Sequence, residues 1–308
     1  MNKKIIITGG TGLLGSKLGI KLSREGNEIT LLTRNTSQAR EELIWAKHIK
    51  EWDYTKPEQW KNIIDGKDVV VHLAGANLSA KRWSESYKKI IYNSRVNSTR
   101  NIVNAIKSCE VRPKVLITVS AVGIYGNRND ELLNENSKPG IDFLTNLCKD
   151  WEEEAEKVEN YHVRRVTLRL GIVLSREGGM LKKLLPSFKL FVGGSIGTGN
   201  QWIPWIHIKD ATDIVDFVIK NDSVSGVFNC GAPGIVRMKD FAETLGRIIN
   251  RPAYFRIPKF VLRMVFGEIA DTIVSSQRIS IEKLLGTGYN FKFGELESAL
   301  KNLLIDKD

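Results

Sequence analysis

The N-terminal stretch Lys3-Lys4-Ile5-Ile6-Ile7-Thr8-Gly9-Gly10-Thr11-Gly12-Leu13-Leu14-Gly15 constrains this chain more than any other. An apolar, β-branched run stops at Thr8, a glycine cluster follows, and Leu13, Leu14, Leu18 and Leu22 open an apolar-periodic segment. That order predicts strand, tight turn and helix. Gly9, Gly12 and Gly15 stand in G-x-x-G-x-x-G spacing: the first suits the turn, the second lets backbone approach an anion, and the third lets helix pack on strand. The free N–H groups and positive dipole end of the new helix then face a pyrophosphate. Gly9, Thr11, Gly12, Leu13, Leu14 and Gly15 are therefore the expected cradle of a dinucleotide.

The 308 residues, 42% of them hydrophobic, suffice for one large α/β domain and a smaller one. Cys109, Cys148 and Cys230 are odd in number and far apart, which predicts reduced structural thiols and no metal site. The net charge of +11 is spread among acids rather than gathered in one arm, so nucleic acid is not the expected partner. No apolar run is long enough to span a bilayer, and Met1 leads into a strand rather than a signal sequence; a cytoplasmic protein without a membrane partner is expected.

Glu28 to Thr33 reads as the second strand. An acid at the end of that strand would receive the ribose 2′-hydroxyl of NAD, and an arginine would accommodate the 2′-phosphate of NADP. The chain has Thr33-Arg34, with Arg40 nearby and no acid before Glu41, which favours NADP(H) over NAD(H). A weak third strand ends near Asp53, which is placed to meet the adenine end. Asp68 to Leu73 is apolar almost throughout, as a parallel strand covered on both faces should be, and makes His72 a core histidine. Ala74-Gly75-Ala76 closes it with small residues that leave room for a ligand at the carboxyl end of the sheet, where Leu73, Ala74 and Gly75 are expected to meet the cofactor. One long helical region from Ser84 to Ser108 leads to a fifth strand, Lys114 to Ser120. A sixth strand and its exit run from Val166 through Gly171 and Val173 to Leu174, with Gly171 permitting close approach.

The expected fold is α/β: a Rossmann-type doubly wound parallel sheet with a smaller C-terminal α+β substrate domain. Residues 1–182 form the first domain, with about 203–232 returning to it, and residues 183–308 form the second. Gly193 to Trp202 reads as a polar, flexible loop over the cleft, either a substrate-capturing lid or a plain surface loop. His207 either lines the cleft or faces solvent. The partner is a small-molecule substrate, and the assembly a monomer or homodimer.

The glycine signature, Val71-His72-Leu73-Ala74-Gly75 and Val119-Ser120-Ala121-Val122-Gly123-Ile124-Tyr125-Gly126 resemble an extended short-chain dehydrogenase/reductase. More narrowly, Lys81-Arg82-Trp83, Ser94 to Arg100, Trp202 to Asp210 and the region from Pro258 to Leu304 resemble its atypical branch of epimerase family proteins, related to NAD-dependent epimerase/dehydratases. The resemblance covers essentially the whole chain, and its C-terminal part resembles a domain of no assigned function.

It implies hydride transfer at a Ser, Tyr and Lys site, in which Tyr exchanges a proton, Lys lowers the Tyr pKa and binds ribose, and Ser positions the substrate oxygen. A phenol left near ~10 is a poor base at neutral pH, so the nearby cation is required. The chain departs from this pattern. The serine position, four before Tyr125, is Ala121. The helix Asp142 to Ala155, where a Tyr-x-x-x-Lys pair should share one face, contains no tyrosine; its candidate pairs are Leu144 with Cys148, or Thr145 with Lys149. Ser120, Tyr125 and Lys149 remain as catalytic candidates. Counting four back from Thr99 places Arg95 either on a cofactor phosphate or in a structural pair with an acid at the sheet edge. The expected activity is an NADP(H)-dependent oxidoreductase or epimerase acting on a small polar, nucleotide-sugar-like substrate. The alternative is a non-catalytic NADP(H)-binding redox sensor or regulator.

Overall fold

Ile5, Ile6 and Ile7, like Val69, Val70 and Val71, are essentially without solvent contact; strands so apolar need a layer of helices on each face. The computed structural model describes residues 2–53, 56 and 60–306 and supplies those layers. In chain order come β1 (Lys4–Thr8), α1 (Leu13–Arg24), β2 (Glu28–Thr33), α2 (Thr36–Glu42), β3 (His48–Glu51), α3 (Lys61–Ile64), β4 (Val69–His72), α4 (Glu85–Tyr92) and α5 (Ser98–Ser108). Next are β5 (Val115–Ala121), β6 (Leu132–Leu133), α6 (Phe143–Glu156), β7 (Arg164–Leu170), β8 (Ile172–Leu174), α7 (Gly179–Lys189), β9 (Gly194–Ile196), β10 (Trp202–Ile203) and β11 (Trp205–His207). The chain ends with α8 (Ile208–Lys220), β12 (Gly226–Cys230), β13 (Val236–Arg237), α9 (Met238–Ile248), β14 (Phe255–Ile257), α10 (Lys259–Phe266), α11 (Ile269–Ile273), β15 (Arg278–Ile279), α12 (Glu282–Leu285) and α13 (Leu296–Leu304).

Seven strands form one parallel sheet in the order β12-β7-β5-β4-β1-β2-β3. The order reverses at β1, and open α/β sheets bind ligands in the crevice at such a reversal. Leu18, Leu22, Ile214, Val215 and Val218 of α1 and α8 cover one face. Trp60, Ile64, Ile102 and Ile106 of α3 and α5, with the linker before α3, cover the other. A second core joins Leu181, Leu184 and Phe188 of α7 to Phe241 and Leu245 of α9 and to Leu296 and Leu300 of α13. The division expected at residue 182 falls inside α7, because that helix is anchored in the second core. β12 returns to the sheet, and Leu284 and Tyr289 also pack in its core.

Two local departures from the sequence reading matter for the site. The expected strand and exit, Val166 to Leu174, part at Gly171: β7 stays in the sheet, while the exit forms a strand of its own, β8, that pairs with β11. A side chain at Gly171 would place its Cβ 2.0 Å from the Pro204 carbonyl oxygen, so this crossing requires glycine. The helix expected from Ser84 to Ser108 is continuous only through a π-helical turn, Asn93–Asn97, which inserts a residue and re-aims Arg95.

His72 holds three parts of this framework together. The Thr8 hydroxyl accepts from the backbone N–H of Leu73 and of Ala74, each at 3.2 Å, so it donates to His72 Nδ1 at 2.6 Å. His72 Nε2–H then donates to Ser98 Oγ at 3.1 Å, and the Ser98 hydroxyl donates to the Ser94 carbonyl at 2.8 Å. One relay thus clamps β1, the exit of β4 and the π-helical turn, with His72 in the satisfied core position its sequence implied.

Burial, seconded by the charge of Arg95, pushes the His72 imidazole down to about 3 from 6.5. Between these limits the unfolded state binds the extra proton, so this contribution is complete above pH 6.5 and is lost as pH falls through the window. The slope it adds is at most about 1.4 kcal/mol per pH unit. His72→Asn is expected to flatten the dependence of urea-unfolding free energy on pH between about pH 6 and about pH 4 relative to wild type; parallel curves would contradict the assignment. Gly171→Ala is expected to cost about 1–3 kcal/mol in the same measurement, because backbone must move to admit the methyl group.

Candidate functional site

The β1–α1 turn has the steric form its glycines predict. Gly9 has φ +70°, and a Cβ on it would lie 2.8 Å from Ala74 N. A Cβ on Gly15 would strike Gly9 O at 2.3 Å, so helix and turn meet with no room for a side chain. At Gly12 the only near atom among the described residues is Gly9 O, 3.2 Å from where a Cβ would lie, and both Thr11 and Gly12 are exposed. No side chain caps α1 and no acid occupies its first turn. The orphan N–H groups and positive dipole end are left for an external anion. Leu13 and Leu14 are partly buried behind this turn, and Leu13 reaches Gly178 at the start of α7.

At the exit of β2, Arg34 is exposed, and Asn35 turns the chain by capping α2 through Gln38 N at 3.1 Å. The Thr33 carbonyl accepts from Trp52 N at 2.8 Å, which brings the exit of β3 and Asp53 alongside. Asp53 lies 3.7 Å from Lys56. At the exit of β4, Ala76 N donates to Ser94 Oγ at 2.9 Å, holding Leu73, Ala74 and Gly75 against the π-helical turn. Arg95 lies across Gly75 and over the Trp151 ring at 5.4 Å. Among the described residues it has no carboxylate within 4.0 Å, which excludes the structural acid pair. Gly171 and Val173 edge the opposite side, where β8 pairs with β11.

Ser120, Tyr125 and Lys149 are not brought together. Tyr125 is fully buried; its hydroxyl donates to Asn229 Oδ1 at 2.7 Å and accepts from Arg169 Nη1 at 2.8 Å. Arg169 is in turn held by Glu152, with Nε to Oε1 at 2.9 Å and Nη2 to Oε2 at 2.8 Å. Tyr125 therefore ties β5 to β7 and β12, and burial raises its pKa further from that of a useful base. Lys149 projects from the outer face of α6, 57% exposed, toward Glu153 at 3.8 Å. The face turned to the sheet carries Leu144 and Cys148, both buried. Ser120 is 5% exposed, and its Oγ is sealed beside the Cys148 thiol, which burial pushes up to about 12. The three expected catalytic residues are therefore placed apart: Tyr125 in a buried network, Ser120 in a sealed contact and Lys149 on an outer surface.

The loop expected to be flexible is held. Gln201 Nε2 donates to the Ile196 carbonyl at 2.7 Å, Gly197 N to the Ile257 carbonyl at 2.9 Å, and β9 pairs with β14. It forms one wall of an open pocket of about 640 Å³ whose lining includes Asn127, Asp130, Thr198, Arg237, Arg256 and Lys259. Arg256 Nε donates to the Gly197 carbonyl at 2.7 Å, and Arg237 meets Asp130 at 2.8 Å. Trp202 lies between Arg237 and Arg278, 4.7 Å and 5.2 Å from its ring centroid. Asp130, paired with Arg237, is the only carboxylate among the described lining residues, and Lys259 Nζ lies 2.7 Å from Asp271, which leaves Arg256 as the lining cation with no carboxylate within 4.0 Å among the described residues. Sequence reading missed Arg237 and Arg256, whose neighbours are distant in the chain; the basic residues around Pro258 were the available signal. His207 neither lines the cleft nor faces solvent: it is buried and stacked on Phe293 at 3.9 Å. The three cysteines are free and buried. No group of metal ligands occurs among the described residues, and no helix there is long and apolar enough to cross a membrane.

Residues 5–231 match the family described as NAD dependent epimerase/dehydratase, and residues 257–303 match a domain of unknown function, DUF1731. Epimerase family protein YfhF of Bacillus subtilis is 36% identical over 98% of both chains. The chloroplastic epimerase family protein SDR39U1 homolog of Arabidopsis thaliana is 35% identical over 97% of this chain and 86% of its own. The crystal structure of human epimerase family protein SDR39U1 (isoform 2) with NADPH superposes with a TM-score of 0.87 at 31% identity, covering 97% of this chain and 98% of that one. Fold, cradle and full-length similarity agree: the chain belongs to the NAD dependent epimerase/dehydratase family.

Proposed function

We propose that the protein binds NADP(H) across the β1–β2 end of the sheet and is an oxidoreductase or epimerase for a small polar substrate carrying an anionic, nucleotide-sugar-like group. The observation that carries this reading is the cradle: a Cβ on Gly9 or Gly15 would collide with the protein's own backbone, Gly12 stands open, and the uncapped start of α1 lies at that opening. Gly12, Thr11, Leu13 and Leu14 would hold the pyrophosphate, Thr33 and Arg34 the 2′-phosphate side, Asp53 the adenine end, and Leu73, Ala74 and Gly75 the ribose beyond. Gly171 and Val173 would border the nicotinamide. The full-length likeness to a human protein crystallised with NADPH supports the choice of cofactor.

When bound, that cofactor supplies a hydride donor or acceptor. The chain's own residues orient it and keep water from the sheet side, where Leu144, Cys148 and Ser120 are packed dry. The pocket walled by Arg237, Arg256 and Lys259 supplies charge for an anionic substrate group. One observation favours the second reading, a non-catalytic NADP(H)-binding regulator: none of Ser120, Tyr125 and Lys149 presents a proton-transferring group to the cleft.

Arg34→Asp is expected to weaken NADPH binding about tenfold or more while leaving NADH within about twofold, read by cofactor fluorescence titration. An unchanged preference would show that Arg34 does not read the 2′-phosphate. Stereospecific deuteride transfer from labelled NADPH to a metabolite, lost in Arg256→Ala, supports turnover; its absence across a panel of anionic sugars supports the regulator.

A further inference from the structure

The pocket of about 640 Å³ carries polar groups of two kinds, those the protein has already engaged and those it has left open. Arg237 is engaged: Nη1 donates to the Asn200 carbonyl at 2.6 Å and Nη2 to Asp130 Oδ1 at 2.8 Å. Lys259 is held by Asp271. The Thr198 hydroxyl donates to Gln201 Oε1 at 3.2 Å, and the Ser276 hydroxyl donates to the Asn129 carbonyl at 2.6 Å while accepting from Trp202 N at 3.1 Å. Arg256 differs. Its Nε bonds the Gly197 carbonyl, which fixes the guanidinium plane, and neither terminal nitrogen has a partner among the described residues. Asn127 uses only its oxygen, which accepts from Ser276 N at 2.9 Å, so its amide N–H groups stay open. The side-chain amides of Asn129 and Asn200, both exposed and both lining the pocket, make no hydrogen bond among the described residues.

The open groups select the ligand. One free guanidinium fork suits one phosphate or carboxylate. Open amides supply donors and acceptors together, the complement of hydroxyl groups. A nucleobase would need an aromatic face to stack on, and none is present among the described lining residues. Trp202 stands beside the wall, but Arg237 and Arg278 already cover its ring at 4.7 Å and 5.2 Å. A nucleoside diphosphate would therefore bring a base without a stacking partner and a second phosphate without a free cation.

We propose that this pocket takes a polyhydroxylated small molecule with one terminal phosphate or carboxylate and no base, its anion on Arg256 and its hydroxyl groups on Asn127, Asn129 and Asn200. This rests on the pocket being the substrate site of the function proposed above. It keeps the anionic sugar of that reading and removes the nucleotide.

The test titrates glucose 6-phosphate, gluconate, glucose and UDP-glucose into the protein by ligand-observed NMR, with and without saturating NADPH. Glucose 6-phosphate or gluconate is expected to bind about tenfold or more tighter than glucose, and UDP-glucose no tighter than the better of the two acids. The order of the two acids tells phosphate from carboxylate. Arg256→Gln is expected to erase the advantage of the acid over glucose, and Asn200→Ala to weaken the preferred acid about threefold or more. UDP-glucose bound about tenfold or more tighter than either acid, acids bound no tighter than glucose, or an Arg256→Gln protein that keeps the preference would each overturn the proposal. Protein that binds an acid but not NADPH would overturn the cofactor reading and leave this assignment standing; protein that binds NADPH and neither acid would do the reverse.

Discussion

Gly9 holds a left-handed backbone with its Cα pressed against the main chain of Leu73 and Ala74, and the cleft is built outward from that contact. Because Gly9 carries no side chain, the backbone of Leu73 and Ala74 can pass where a Cβ on it would lie within 2.9 Å of them. The Thr8 hydroxyl then bridges the exits of β1 and β4, serving two N–H groups of the β4 exit while donating to His72. Protonation of His72 would remove the acceptor of that bond, which is why its burial and its depressed pKa belong to the same design. The relay runs on through Ser98 to the helix that carries Arg95. Cradle, ribose side and Arg95 are thereby positioned by one set of short contacts.

The catalytic residues implied by resemblance are dispersed for physical reasons. Tyr125, Arg169, Glu152 and Asn229 satisfy one another in a buried network that stitches the edge of the sheet. Removing any one would leave a buried polar group unpaired, at a cost of about 1–3 kcal/mol or more. The phenol is thus committed to stability. On α6 the face toward β5 carries Leu144 and Cys148 and supplies no cation there, while Glu152 supplies the carboxylate that holds Arg169. What charge the cleft has comes from Arg34, from Arg95 and, in the second unit, from Arg237, Arg256 and Lys259.

Much of this was legible in the sequence because it depends on local order. The strand–glycine–helix junction, the arginine after the second strand and the apolar run around His72 each declare themselves within a few residues. The rest depended on contacts across the chain. Tyr125 meets Arg169 and Asn229, 44 and 104 residues away, and nothing near it in sequence reveals that its hydroxyl is already used. Apolar periodicity from Ser84 to Ser108 fits one helix, since a π-helical turn changes the phase by a single residue. Counting i to i+4 on α6 left two faces open; the packing of Leu144 and Cys148 on the sheet decided between them. The loop from Gly193 to Trp202 has a flexible composition, yet pairing of β9 with β14 fixes it.

The most direct test of the account is a crystal structure of the protein grown with NADPH. The pyrophosphate is expected on the turn from Gly9 to Gly15 at the start of α1, the 2′-phosphate on Arg34 and the ribose beyond beside Leu73, Ala74 and Gly75. Density for the dinucleotide elsewhere, or a 2′-phosphate turned away from Arg34, would contradict it.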